Sequence, residues 1–164
     1  MDALEIAALA SQQERALGRE EGTKRRVCVI SLAGELFAID LRQVGEVFEV
    51  GPITPVPDMP DLLVGVTNLR GVIVPLVDLR PLLGLSIDGP VPPYAVVIRH
   101  DGQQIGVLVD QMPEIHSVGT DDVFTAPPGG SQGFRPFVSS LLRIEGRVGG
   151  VVEVSTLLAS VASR

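Results

Sequence analysis

Short apolar runs rich in Val, Ile and Leu recur along this chain, each bounded by turn residues, and they predict a protein built mainly of β-strands. Val27–Leu32 is apolar at nearly every position, as in a strand covered on both faces. Ala33-Gly34-Glu35 predicts a turn and Leu36–Asp40 a second strand, with Asp40 placed to cap the short turn Leu41-Arg42-Gln43. Val44–Val50 reads as a third strand. Strict alternation would put Val44, Glu46 and Phe48 on one face and Gly45, Val47 and Glu49 on the other. Pro52, Pro55, Pro57 and Pro60 make the next stretch an extended connector. Two β-branched runs then meet at Asn68-Leu69-Arg70-Gly71, where Gly71 can take the positive φ of a tight turn, so Gly65–Arg80 predicts a hairpin. Pro75 in its second strand suits an edge or a bulge. Asp78 opens a helical turn through Leu82-Leu83, which Gly84 ends.

The pattern then repeats. Gly34-x-x-Phe37-x-Ile39-x-Leu41 is answered by Gly102-x-x-Ile105-x-Val107-x-Val109 at an offset of 68 positions, which also sets Val44 on Met112, Glu46 on Glu114 and Val47 on Ile115. At an offset of 75, Gly71-x-Ile73 matches Gly146-x-Val148, and Leu76-Val77-Asp78-Leu79 matches Val151-Val152-Glu153-Val154. Two halves of about five short strands each imply two small five-stranded β-barrels related by a pseudo-twofold axis. Barrels this small bury little alone, so a shared core is expected between them. The expected division is a first barrel at about 27–85 and a second at about 93–160, joined by the Gly/Pro-rich Ser86–Pro93. Ahead of this domain (27–164), residues 1–26 form an expected helical extension. It carries Ile6, Leu9, Ala10, Ala16 and Leu17 near helical spacing, and reads either as an amphipathic segment ordered by packing or as a frayed tail.

The repeat also sorts the charges. Asp78 and Glu153 hold equivalent places, so a carboxylate there reads as a helix cap. Arg70 faces Glu145 in the alignment and Asn68 faces Arg143. A cation with no basic counterpart is not required by a twofold fold, which makes Arg70 the functional candidate.

Composition narrows the chemistry. Trp is absent and aromatics are 4% of 164 residues, so the core is aliphatic. The net charge of −7 argues against nucleic acid, and Lys24-Arg25-Arg26 is too short to reverse that. No run is long enough for a membrane span and no signal pattern opens the chain. The single cysteine, Cys28, allows no intramolecular disulfide; it reads as a buried structural thiol in a cytoplasmic protein. There is no Gly-rich phosphate loop and no zinc spacing, His100 and His116 stand apart, and Asp78 is explained as a cap. A binding module, with no cofactor and no metal, is therefore expected rather than an enzyme.

The stretch Gly65-Val66-Thr67-Asn68-Leu69-Arg70-Gly71-Val72-Ile73-Val74-Pro75-Leu76-Val77-Asp78-Leu79-Arg80 resembles the central motif of the CheW-type bacterial chemotaxis coupling proteins. Phe37-Ala38-Ile39-Asp40 and Val44-Gly45-Glu46-Val47 match that family as well, and the resemblance runs from about Val27 to Leu158. It implies two five-stranded barrels around a shared core and a non-enzymatic adaptor. Such an adaptor joins chemoreceptor cytoplasmic hairpin tips to the regulatory domain of a CheA-type histidine kinase, in the cytoplasm beside membrane-anchored receptor arrays. The receptor-facing residues it implies are Leu41, Val44, Glu46, Val47, Asn68 and Arg70; the kinase-facing ones are Ile53, Val56 and Phe124. Phe124-Thr125-Ala126-Pro127-Pro128-Gly129-Gly130 departs from the family, being Gly/Pro-rich where bulkier anchors are common. Other readings stay open: a paralogue serving surface motility, an array member that binds no receptor, or a regulatory piece of a larger protein. The start Met and the 26-residue lead-in favour a stand-alone protein over the last of these.

Overall fold

A computed structural model describes residues 3–4, 24–59, 62–125 and 137–162. Most of the expected N-terminal extension, and the Gly/Pro-rich run beyond Thr125, lie outside the described residues. Among the described residues eleven strands follow one another: β1 (Arg25–Leu32), β2 (Glu35–Asp40), β3 (Val44–Glu49), β4 (Leu63–Leu69), β5 (Val72–Val77), β6 (Tyr94–His100), β7 (Gln103–Val109), β8 (Glu114–Val118), β9 (Val123–Phe124), β10 (Val138–Ile144) and β11 (Arg147–Val152). A helix, α1 (Val154–Ala162), closes the chain.

The strands form a six-stranded sheet, ordered β8-β1-β2-β11-β10-β9, and a five-stranded sheet, ordered β3-β6-β7-β5-β4. Both draw on both halves of the sequence. β1 and β2 leave the first half to pair with β8 and, in parallel, with β11; β6 and β7 leave the second half to pair with β3 and, in parallel, with β5. The expected division at 27–85 and 93–160 therefore follows the repeat but not the sheets, because the halves exchange hairpins. The twofold relation survives the exchange. The amide of Asp78 donates to the carbonyl of Leu62 at 2.9 Å and that of Glu153 to Phe137 at 2.7 Å, two bonds between equivalent positions.

One turn closes all four hairpins. Ala33-Gly34, Arg70-Gly71, Asp101-Gly102 and Glu145-Gly146 each place two successive residues at positive φ, near 50° and then near 80°. That pairing gives the twist antiparallel neighbours need, and glycine adopts the second conformation without steric cost. The connector after β3 completes the five-stranded sheet. Val50 donates to Pro93, and Thr54 exchanges two 2.8 Å bonds with Val66 on the opposite edge strand. The sheet thus curls until its edges meet.

Alternation along the strands divides the apolar side chains between interiors. Val27, Val29 and Ala38 fill the inside of the six-stranded sheet with Val118, Leu142 and Ile144. Cys28, Ile30, Leu32, Phe37 and Ile39 turn the other way, into a larger core shared with Val96, Ile98, Ile105, Val107 and Val109 of the five-stranded sheet. α1 seats Leu157 and Leu158 in that same core. Cys28 is buried there as expected, and desolvation pushes its thiol up to about 12, which leaves it unreactive.

Three local expectations change. A bulge between Val44 and Glu46 breaks the alternation of β3. Val44 and Val47 consequently both pack on the shared core, while Phe48 enters the five-stranded interior. Pro75 is not on an edge strand, since β5 lies between β7 and β4; β7 pairs only at Leu76 and Val77, however, so nothing asks the proline for an amide donor on that side. Asp78 does more than cap. Its carboxylate accepts the Arg80 amide at 3.0 Å and holds the guanidinium through Nε (3.0 Å) and Nη2 (2.8 Å), with both side chains nearly buried. These hydrogen bonds, against the opposing effect of burial, raise the pKa of Arg80, and Asp110 adds to the field. Asp110 itself accepts the Ala33 amide at 2.6 Å, and its own amide donates to Ser31. The pair therefore sits beside the seam between the sheets. Glu153 has an exposed side chain and contributes its carbonyl, which accepts the Leu157 amide.

Asp78→Ala should cost on the order of 3 kcal/mol, because it leaves a guanidinium buried without its counter-ion. A lost cap costs about 1 kcal/mol, so the urea midpoint of the variant distinguishes the two roles.

Candidate functional site

The segment from Asp40 to Glu49 and the β4–β5 hairpin bring most of the expected receptor-facing residues to one end of the five-stranded sheet. Asp40 starts this arrangement. Its Oδ1 accepts the Arg42 amide at 3.0 Å, and its carboxylate pairs with the Arg42 guanidinium, turning the chain so that Leu41 and Val44 point inward. Burial alone would raise the Asp40 carboxyl, but the Arg42 hydrogen bonds and charge outweigh it and hold it below its ordinary value. Leu41, Val44 and Val47 are all partly buried on the shared core, so each offers a flank rather than a free side chain.

The bulge in β3 turns Glu46 toward the end of the five-stranded interior, where it is 8% exposed. A carboxylate this deep needs a counter-charge. Arg70 supplies it. From the apex of the β4–β5 turn its guanidinium Nη2 reaches both Glu46 oxygens, joining β3 to β4, the two outer strands of the sheet. Glu46 is almost covered in this pair, whereas the Arg70 side chain keeps 67% of its surface exposed. Asn68 serves the turn: its Oδ1 accepts the Gly71 amide at 2.8 Å, which stabilises the conformation that presents Arg70.

A cavity of about 250 Å³ opens beside the pair, lined by Leu69, Val72, Val74 and Val97 together with Arg99 and Gln104. Arg99 escaped the sequence reading. Its guanidinium lies so close over Gly45 that a Cβ there would fall 2.8 Å from Cζ, and Gln104 accepts from its Nε at 3.2 Å. The available signal was a glycine in a strand, which marks a close approach. Val72, 51% exposed, continues this surface outward along β5, whereas Ile73, 58% exposed, points to the opposite face of the strand. Exposed aliphatic residues around a half-covered ion pair form a surface suited to a protein contact.

The expected kinase-facing residues do not converge. Ile53 packs into the five-stranded interior and touches the backbone at Gly65. Val56 is exposed on the connector. Phe124 lies on β9, at the far edge of the other sheet, with the Arg143 guanidinium 6.0 Å from its ring centre. His100 meets Gln43 at 3.3 Å and Asp101 at 3.3 Å. Among the described residues, no group of three or more His, Cys, Asp or Glu is arranged to hold a metal ion.

Known proteins resemble this chain in sequence and fold. The sequence pattern of the CheW-like domain matches residues 26–162. A chemotaxis protein CheW of Rhizobium meliloti is 29% identical over 137 residues, covering 83% of this chain and 88% of that one. Chemotaxis protein CheW of Klebsiella aerogenes is 30% identical over 136 residues, 80% of each chain. The crystal structure of the scaffolding protein TtCheW from Thermoanaerobacter tengcongensis superposes with a TM-score of 0.69 at 27% identity, covering 78% of this chain and 88% of that one.

A double-mutant cycle of Glu46→Ala and Arg70→Ala should give a coupling of about 0.5–1 kcal/mol, since one partner is exposed. Arg70→Glu should cost more than Arg70→Ala, because it sets a second carboxylate against a buried one. Equal denaturation midpoints for wild type and Arg70→Glu would mean the pair contributes nothing in solution.

Proposed function

The chain belongs to the CheW-like domain family, and from that premise we propose that it is a non-enzymatic adaptor. It couples chemoreceptor cytoplasmic tips to a CheA-type histidine kinase in a chemotaxis or motility signalling array. The observation that carries this reading is the arginine at the β4–β5 apex, anchored on a buried glutamate yet two-thirds exposed beside the half-exposed Val72. An anchored guanidinium keeps free N–H donors in a fixed direction, which suits a carboxylate on a helical partner, and the apolar strip suits that helix's buried face.

In this reading Arg70 makes the polar receptor contact, with Leu41, Val44 and Val47 as partly exposed apolar flanks. Glu46 and Asn68 act through Arg70, the first by holding its guanidinium and the second by fixing its turn. For the kinase, Val56 and Phe124 offer exposed side chains, whereas Ile53 holds the connector against the sheet. The working place is the cytoplasmic face of receptor arrays. Among the described residues no helix is long and apolar enough to cross a membrane, which fits attachment through partners.

The test is binding of the purified chain to a chemoreceptor tip and to a kinase regulatory domain, each measured separately by calorimetry. Arg70→Ala should weaken tip binding about tenfold, the loss of a single interfacial arginine contact, and leave kinase-domain binding within twofold of wild type (on the order of 0.4 kcal/mol). Wild-type affinity of a folded Arg70→Ala protein for the tip would remove Arg70 from the interface. Absence of binding to either partner would remove the adaptor reading.

A further inference from the structure

The charges at the open end of the five-stranded sheet do not balance. The chain carries 20 acidic residues against 13 Lys and Arg, yet this one cavity is lined by two arginines, Arg70 and Arg99, and a single carboxylate, Glu46. Arg70 takes that carboxylate, which is nearly covered in the pair. Arg99 is left with a neutral partner: among the described residues its guanidinium bonds to the Gln104 amide oxygen and to no acidic side chain. The twofold frame does not ask for a cation here. The six-stranded sheet ends in an equivalent mouth, a cavity of about 260 Å³. Its lining has Ser31 where the offset of 68 positions sets Arg99, Leu36 where it sets Gln104, and Glu145 at the place of Arg70.

Local structure holds Arg99 in position. It is the cross-strand partner of Gln104 in the β6–β7 hairpin, and its Nε donates to that amide at 3.2 Å. Against it lies Gly45, at the bulge of β3. A Cβ on Gly45 would fall 2.8 Å from Cζ and from Nε and 3.1 Å from Nη1, so the guanidinium occupies space that any other residue would fill with its own side chain. An exposed arginine ordinarily keeps much of its rotamer freedom. This one is confined between an amide and bare backbone, and its Nη donors are unengaged among the described residues. A planar fork of donors fixed in direction suits a carboxylate, which takes two parallel hydrogen bonds from it. Leu69 and the half-exposed Val72 line the same cavity and limit competition from water.

We propose that Arg99 is a second receptor-contact residue. The mouth takes a glutamate or aspartate side chain of the receptor tip, whose carboxylate is held by Arg99 and Arg70 together while Glu46 keeps Arg70 in place. The incoming acid brings the mouth to two charges of each sign. The inference rests on the adaptor reading and adds to it a residue and a preference: the group recognised here is anionic. Gly45 then acts as a positioning residue, since its missing side chain makes the room in which Arg99 lies.

Binding of the full chain to a chemoreceptor tip and to a kinase regulatory domain is measured by calorimetry for wild type, Arg99→Gln, Arg70→Ala, the double variant and Gly45→Ala, with circular dichroism to show that each is folded. Arg99→Gln should weaken tip binding about fivefold and leave kinase-domain binding within about twofold of wild type. The double variant should fall clearly short of the roughly fiftyfold product of the two single losses, because arginines that share one carboxylate are not independent. Gly45 is not at positive φ, so alanine there asks only the far end of Arg99 to move. Gly45→Ala keeps the charge, shifts the guanidinium and should weaken tip binding about twofold or more. Wild-type tip affinity in folded Arg99→Gln or Gly45→Ala, the full product in the double variant, or an equal loss toward the kinase domain would each overturn the proposal. A wild-type chain that binds no tip removes the adaptor reading and this inference with it, whereas normal wild-type binding with an unaffected Arg99→Gln removes this inference alone.

Discussion

The central strands β1, β2, β6 and β7 are apolar on both faces while each small sheet has a single interior, so their other faces must be covered by something else. The shared core answers that constraint, and most of the architecture depends on it. Cys28, Ile30 and Ile39 of one sheet meet Val96, Ile98 and Val107 of the other, and α1 seals the same space with Leu157 and Leu158. The hairpin exchange strengthens the coupling. Because β1–β2 and β6–β7 each complete a sheet that the other half begins, neither half can form its own sheet while the other is unfolded. Cooperative unfolding as one unit follows, and the Asp78–Arg80 pair and the Asp110 link at the seam belong to that unit.

Electrostatics is where the twofold frame gives way. Backbone turns, strand pairings and apolar positions repeat, while the charges at the mouths do not. Burying Glu46 is unfavourable unless Arg70 stays close, and keeping Arg70 close orients it without hiding it. A stabilising requirement of the fold thereby pre-positions the guanidinium, which in the proposed receptor contact would lose less side-chain entropy than a free surface arginine. Arg70, expected as a functional residue that the twofold fold does not require, is also the counter-ion that the buried Glu46 needs.

Much of this was legible in the chain because it rests on local rules. Strands and turns follow from apolar runs and glycine placement, and the internal repeat exposes the twofold; the helical turn expected after Asp78 forms only a hydrogen-bonded turn over residues 80–84. Three features were not legible, for a common reason. The bulge in β3 depends on how β6 registers against it; the burial of Arg80 depends on the seam; the placement of Ile53 depends on closure of the five-stranded sheet. Each is decided by residues distant in sequence, and a one-residue bulge suffices to move Val44 and Glu46 to opposite faces.

A repeated scaffold with unlike mouths bears on how such a chain tells one neighbour from another. Two barrels with identical ends would dock in either orientation with equal free energy, since the backbone offers no distinction between them. A charge difference at equivalent positions removes that degeneracy. The Glu46–Arg70 mouth presents a guanidinium, whereas the equivalent position in the other sheet presents the carboxylate of Glu145. Repulsion at the wrong end contributes as much to specificity as attraction at the right one, because discrimination is a difference between two binding free energies. The difference that matters most is accordingly Arg70 against Glu145: one position in each repeat, on the same backbone turn, where opposite charges make the two ends unlike.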